Sequence, residues 1–171
     1  MTELTKAIDA VLDGVTTGTP RVPGVSAAVT DRRGTIYEGA RGVRNTGTGE
    51  SFEPDTVCAI FSTTKAIAGT ACLQLVEQGL LDLDAPAKEY APQLGDIMVI
   101  DGLGPDGTPK LRPPKRDVTT RHLLTHTAGF GYDFFNETYT RLANEHGQPW
   151  VVDASWKSIK TPLLFDPGEQ W

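Results

Sequence analysis

The stretch from residue 57 to residue 79 constrains the fold most, because a short apolar run leads directly into a strongly apolar helical pattern. Residues 57–61 are apolar, the helical pattern covers residues 66–78, and Gly79 supplies the residue type that commonly ends a helix. A helix with so broad an apolar face is expected to be buried. The rest of the chain should therefore pack around it. The face consists of Ile67, Ala68, Ala71, Cys72, Leu75 and Val76.

A candidate nucleophile lies at the start of this helix. Ser62 and Lys65 are three residues apart, a spacing that places two side chains on one helical face with Cβ atoms roughly 5–6 Å apart. We therefore expect the hydroxyl and the amine to touch. A serine hydroxyl needs an adjacent base to attack at neutral pH, and a lysine serves when burial or a nearby cation lowers its pKa. The helix dipole and the N–H of Ser62 would favour an oxyanion there.

The same short motif has a purely structural interpretation. One of the hydroxyl residues at 62–64 would cap the helix, since hydroxyl side chains are favoured at that position. Lys65 would then be a solvated residue of the first turn. Ser-x-x-Lys is short enough to occur by chance, so its meaning depends on the rest of the chain.

The residues before this stretch predict an α-helix followed by a β-hairpin. Apolar residues recur at helical spacing from 4 to 15, and the glycines and proline at 14–20 end the pattern. Two β-prone segments, 25–30 and 35–42, are joined by a short turn. After a polar loop at 44–56, the apolar run and the helical pattern of residues 57–79 begin. We therefore expect a first domain at 1–56 and a second at 57–171.

Within the second domain, the sequence predicts short strands at 97–101 and 110–112. It also predicts a helix over 117–129, capped by Thr119 or Thr120. His122 and His126 would lie on one face of that helix, with the spacing of some zinc ligands. The zinc-protease motif needs Glu where Leu123 stands, and such pairs are more often packed and hydrogen-bonded. A Gly-x-Gly-x-x-Gly match at 102–107 lacks the helix that dinucleotide binding requires. We expect no metal and no cofactor.

Aromatic side chains cluster between residues 130 and 139. Core packing explains such a cluster, and the wall of a substrate site is the alternative interpretation. On that alternative, Tyr132 and Phe134, together with Phe61 beside Ser62, are the candidate substrate-binding residues.

The charge balance opposes a nucleic-acid partner. The chain has 16 basic and 22 acidic residues and a net charge of -6, whereas phosphate binding needs clustered Lys and Arg. The one basic cluster, at 110–116, contains two prolines and is interpreted as a solvated loop. Signal-peptide and membrane-spanning patterns are absent from the sequence, and Cys58 and Cys72 are interpreted as small buried residues in a reducing compartment. We expect a cytoplasmic protein without a membrane partner.

Four blocks of sequence, in order, resemble those of the serine β-lactamase and penicillin-binding-protein superfamily. They are the Ser-x-x-Lys motif at 62–65, Gly-Leu-Leu-Asp-Leu-Asp at 79–84, Thr-Arg-His-Leu-Leu-Thr-His-Thr-Ala-Gly at 120–129 and Phe-Asp-Pro-Gly-Glu-Gln-Trp at 165–171. Each block is weak alone, but together they are specific and span nearly the whole chain. The segments 111–114 and 129–132 are most similar to the class-C-like branch, which includes the family VIII carboxylesterases.

The resemblance implies an α+β fold, in which an antiparallel sheet flanked by helices is joined to a mostly helical subdomain, and this chain would be its N-terminal part. Ser62 would be the nucleophile, at the interface of the two parts, and Lys65 its proton partner. The family's catalytic tyrosine and a Lys-Thr-Gly-like strand motif would follow beyond residue 171. Since an isolated two-stranded hairpin is marginal in water, we expect a complementary C-terminal polypeptide to complete the fold.

The resemblance also implies a function, a serine hydrolase that forms an acyl-serine intermediate. A carboxylesterase acting on small esters is the first expectation. A β-lactamase, a D-alanyl-D-alanine peptidase-like enzyme and a non-catalytic binding protein of the same fold are the alternatives. A Ser-His-Asp hydrolase is disfavoured because the sequence has no Gly-x-Ser-x-Gly motif.

Overall fold

The computed structural model describes residues 2–153 and 155–171. These residues form two compact units that divide between Phe61 and Ser62, whereas the sequence places the domain boundary between residues 56 and 57. Each unit has its own regular elements and its own buried residues.

The first unit begins with helix α1, Glu3–Thr17, as predicted. Thr2 caps the helix, because its hydroxyl oxygen accepts the N–H of Thr5 at 3.1 Å. The buried face of α1 lies against the hairpin that follows: Leu12 is 5% exposed and Tyr37 6% exposed. The Tyr37 hydroxyl donates to Asp9 at 2.7 Å, so a polar contact joins the helix and the hairpin in addition to the apolar packing.

The predicted hairpin is confirmed as strands β1, Gly24–Asp31, and β2, Gly34–Gly42. The strands pair antiparallel, with a register that runs from Gly24 opposite Gly42 to Asp31 opposite Gly34. The turn between them is fixed by Asp31, whose carboxylate accepts the N–H of Arg33 at 2.7 Å.

Helix α2, Thr64–Glu77, forms where the apolar pattern predicts it, but the prediction that it is buried is wrong for the described residues. Ile67 and Leu75, which belong to the predicted apolar face, are 61% and 40% exposed. These two side chains therefore lie on an exposed side of the helix in the described residues, whereas Leu124 lies close to Gly69 on another side. Cys72 is half-buried, while Cys58 is exposed, contrary to its predicted burial.

The core of the second unit surrounds a second hairpin. Strands β3, Val99–Leu103, and β4, Pro109–Arg112, pair antiparallel, close to the predicted positions. Leu163 forms a parallel β-bridge with Val99, so the segment around residue 163 pairs with β3. The buried core residues are Ala87, Ile97, Val99, Val118, Ala128 and Leu163.

Helix α3 covers only Thr120–Leu124, so the predicted helix over 117–129 is too long. Thr119 caps it as predicted. The N–H of Thr125 still donates to the Arg121 carbonyl, as in a helix, but the N–H of Thr127 donates to the His122 carbonyl at 2.8 Å, a pattern that closes a helix C-terminus. His126 then has a φ of +58°. A further helix, α4, covers Glu137–His146 and is capped by Asn136.

The basic cluster at 110–116 is not simply a solvated loop, as the sequence suggested. The Arg112 guanidinium donates two hydrogen bonds to Asp166, at 2.9 and 2.7 Å, and the Lys115 N–H donates a third at 2.8 Å. Asp166 is 1% exposed. Planar two-point pairing of this kind fixes geometry as well as charge, so the cluster anchors the chain around residue 166.

Among the described residues, none of the helices combines the length and the hydropathy needed to cross a membrane.

Candidate active site

Ser62 and Lys65 meet at the entrance to α2. The chain enters the helix through a single 3₁₀ turn, Phe61–Thr63. The Lys65 ammonium nitrogen Nζ then lies 3.0 Å from Ser62 Oγ, as a hydrogen-bond donor. The expected contact between hydroxyl and amine is therefore present. Both side chains are exposed in the described chain.

The start of α2 agrees with only one half of the purely structural interpretation, since Lys65 is exposed. Thr63 occupies the N-cap position with helical backbone angles and makes no capping hydrogen bond through its side chain. The hydrogen bond found for the Ser62 hydroxyl among the described residues is the one with Lys65. The hydroxyl of Ser62 therefore does not cap the helix, and it is available for a nucleophilic attack.

Phe61, the last residue of the first unit, has an unusual backbone. Its φ is +42°, in the left-handed region that bulky residues rarely adopt. Its side chain is 84% exposed, so side-chain burial does not compensate for the strain. Such strain is often found at functional positions, here at the residue that immediately precedes the candidate nucleophile.

Tyr132 and Phe134, two of the predicted substrate-binding residues, lie side by side on the surface. Their rings stack with centroids 5.0 Å apart and planes inclined by 15°. Phe135 meets Phe134 edge-on at 4.6 Å. All three side chains are exposed, so of the two interpretations of this cluster, core packing does not hold for them. Tyr139, by contrast, is buried.

The structure thus brings the predicted site residues together in two pairs, Ser62 with Lys65 and Tyr132 with Phe134. Among the described residues, no hydrogen bond or aromatic contact joins one pair to the other. The catalytic and substrate-binding roles of these residues, and of Phe61, stay predictions.

The two histidines do not share a helical face. His122 lies in α3 and completes its capping box, accepting the Thr119 N–H at Nδ1 over 3.2 Å, so the packed and hydrogen-bonded interpretation applies to it. His126 follows the end of the helix and is exposed. In the described residues, no group of three or more potential ligands is arranged to hold a metal ion.

Two buried carboxylates were not recognised as important in the sequence. Asp166 accepts hydrogen bonds from Arg112 and Lys115; these pairings hold its pKa far below the usual range and raise that of Arg112. Asp133 is 2% exposed and accepts backbone N–H groups. The available signal was an acidic residue inside an aromatic or apolar run, because such a charge needs internal partners.

Comparison with known proteins places these features in a family. Residues 4–171 match the family described as Beta-lactamase. Lovastatin esterase of Penicillium rubens is 35% identical over 161 residues, which cover 90% of this chain and 40% of the relative. Esterase EstB of Burkholderia gladioli is 32% identical over 158 residues, covering 88% of this chain and 37% of the relative.

A solved structure matches the fold over the full length of the chain. Unliganded simvastatin synthase from Aspergillus terreus superimposes with a TM-score of 0.74 at 26% identity, covering 100% of this chain and 45% of that one. The α+β, β-lactamase-like fold predicted for the N-terminal part is therefore confirmed. The chain spans about 40% of the length of the curated relatives it matches. Its ordered motifs, its fold and the match over residues 4–171 show that this chain belongs to the beta-lactamase family.

Proposed function

We propose that this chain carries the nucleophile of a serine hydrolase, and that Ser62 is acylated during turnover. The observation that carries the proposal is the 3.0 Å hydrogen bond between Lys65 Nζ and Ser62 Oγ at the start of α2. A nucleophile and its base must lie within about 2.6–3.2 Å for direct proton transfer.

The proposed reaction uses this contact between the two side chains. A neutral Lys65 amine takes the hydroxyl proton as Ser62 Oγ attacks the carbonyl carbon of the substrate. The negative charge that develops on the carbonyl oxygen is favoured by the N-terminus of α2. Collapse of the tetrahedral intermediate breaks the ester C–O bond, and the leaving alcohol takes the proton back from Lys65. Water then releases the acid from the acyl-serine and regenerates the hydroxyl.

Small carboxylic esters are the proposed substrates. Two relatives carry the name esterase, and the exposed stack of Tyr132 and Phe134 offers an apolar surface for an acyl group or an alcohol. A β-lactam or a D-alanyl-D-alanine peptide would share the acylation step. Deacylation separates these alternatives, because a β-lactamase releases opened β-lactam at a useful rate.

We also propose that a complementary C-terminal polypeptide completes the enzyme. Two observations support this partner: the exposed apolar side of α2, and the length of the relatives, of which this chain spans about 40%. Burial of Lys65 by that polypeptide would favour the neutral amine that the reaction requires.

Hydrolysis of p-nitrophenyl butyrate by the completed protein tests the nucleophile. We expect Ser62→Ala to lower kcat at least about 10³-fold, because losing a nucleophile removes the covalent route. Thr63→Ala removes the adjacent hydroxyl and should leave kcat nearly unchanged. Equal losses in the two variants, or full activity in Ser62→Ala, would refute the proposal.

A second pair of variants separates a lysine base from a histidine base. We expect Lys65→Ala to reduce acylation about 10²-fold or more, measured as the pre-steady-state release of p-nitrophenol. His126→Asn should retain activity, since asparagine tolerates the positive φ of that position. A well-folded His126→Asn protein without activity would show that the Ser-Lys assignment is wrong.

A further inference from the structure

The second unit contains a cavity of about 320 Å³ that is separate from the Ser62 and Lys65 pair. Its wall is formed mainly by apolar side chains that come from well-separated segments, among them Ala91, Leu94, Phe130 and Ile159. No residue of α2 lines it. The volume falls within the range of small-molecule sites and has room for about ten groups the size of a water molecule.

The cavity is also distinct from the aromatic stack. Gly131 and Asp133 line it, whereas Tyr132 and Phe134, which alternate with them, are exposed and stack with each other. Gly131 and Asp133 therefore belong to the cavity wall, and Tyr132 and Phe134 belong to the exposed aromatic stack. A ligand in the cavity would not occupy the surface proposed for the ester.

Asp133 gives the cavity its chemical character. The side chain is 2% exposed. One carboxylate oxygen accepts the Phe134 N–H at 2.9 Å and the other accepts the Val151 N–H at 2.8 Å. Among the described residues, no Lys, Arg or His forms an ion pair with it. A buried carboxylate without a cation is costly, and this one has further lone-pair sites to offer.

We propose that this cavity binds a small organic amine in its protonated form, with the ammonium on Asp133 and an apolar body against Leu94 and Ile159. A protonated amine supplies the positive charge that the chain itself does not, through a charge-assisted hydrogen bond. Phe130 and Tyr139 also line the cavity, and aromatic side chains attract ammonium groups. A neutral apolar molecule would fill the same space and leave the carboxylate without a cation.

Titration of the ¹⁵N-labelled chain with 2-phenylethylamine, compared with 2-phenylethanol, tests the proposal. The two probes have the same size and differ in charge. We expect the amine to bind at least about tenfold more tightly. It should also shift the amide signals of Phe134 and Val151, because both N–H groups donate to the carboxylate that would receive the ammonium. Equal affinity for the two probes, or amine binding that leaves both signals unmoved, would overturn the proposal.

Three variants locate the binding further. Asp133→Asn should weaken amine binding about tenfold or more while leaving 2-phenylethanol within about twofold. The exposed Asp153→Asn is the matched control and should change neither affinity.

Since an asparagine cannot accept both backbone N–H groups, Asp133→Asn could unfold locally. Ala91→Leu fills the cavity with the carboxylate intact and should weaken both probes about tenfold. Unchanged amine affinity in Ala91→Leu would contradict the proposed location.

Discussion

His122 caps helix α3 with an imidazole nitrogen that must be unprotonated. Its ring nitrogen Nδ1 accepts the backbone N–H of Thr119, while the Thr119 hydroxyl oxygen accepts the backbone N–H of His122. Burial lowers the pKa of His122, and the nearby Arg116 and Arg121 lower it further, while Asp84 opposes them. At the scale of single residues, this hydrogen bond couples the local fold to protonation.

The sign of the pH effect follows from that lowered pKa. Below about pH 6.5 the histidine binds a proton more readily in the unfolded chain than in the folded one. The free energy of unfolding should therefore fall as the pH drops from 7.5 to 5.5. His122→Gln keeps a capping acceptor that does not titrate, so the fall should be smaller in that variant. Urea unfolding at the two pH values measures this, and equal falls would contradict the assignment.

At the scale of elements, the segment that follows residue 160 is joined to two parts of the second unit. The Leu163 N–H donates to the Met98 carbonyl, and the Leu163 carbonyl accepts the Ile100 N–H. Leu164 donates to Gly129 at 2.8 Å, and Gly168 donates to Thr127 at 2.7 Å. Gly129 has a φ of +104° and lies close to Leu163 and Phe165, so a side chain there would not fit. These bonds hold the final sequence block against β3 and the turn after α3.

Removal of the Leu163 side chain tests how much this packing contributes. Leu163 is 0% exposed, so Leu163→Ala should lower the free energy of unfolding by about 2–5 kcal/mol, through lost burial and the cavity left behind. Leu111→Ala on β4 removes a half-exposed leucine and should cost about 0.5 kcal/mol. Urea denaturation compares the two variants. Similar losses would show that Leu163 is not part of a packed core.

Sequence reasoning worked where the structure depends on near neighbours in the chain. Helix α1, both hairpins and the contact of Ser62 with Lys65 follow from local periodicity, turn residues and helical spacing. The early end of α3 was not predicted because it depends on His126 adopting a positive φ while the Thr127 N–H donates to the His122 carbonyl, an arrangement more typical of Gly or Asn. The pairing of Arg112 with Asp166 joins residues far apart in the chain, and no local pattern encodes it. The aromatic stack was located, but its exposure depends on tertiary packing.

At the scale of the whole molecule, the exposed side of α2 is the feature that the proposed C-terminal polypeptide would cover. Ile67→Glu should change the free energy of unfolding of the 171-residue chain by no more than about 0.5 kcal/mol, because Ile67 is 61% exposed. In the completed enzyme the same charge would be buried without a partner, so ester hydrolysis should be lost.

The matched control for that variant is Gln93→Glu, which adds the same charge to an exposed polar position outside α2. It should leave both stability and hydrolysis unchanged. Chemical denaturation and p-nitrophenyl butyrate assays measure the two quantities. Full hydrolysis by Ile67→Glu would show that nothing covers this side of the helix in the active protein.

Acylation of Ser62 is the step on which the proposed function depends. Intact-mass spectrometry of the native protein before and after reaction with a fluorophosphonate, followed by peptide mapping, tests it most directly. We predict a single adduct on Ser62, together with a companion polypeptide in the same sample or a continuation of this chain. An adduct on any other residue, or ester hydrolysis by a protein that carries no adduct, would contradict the acylation of Ser62.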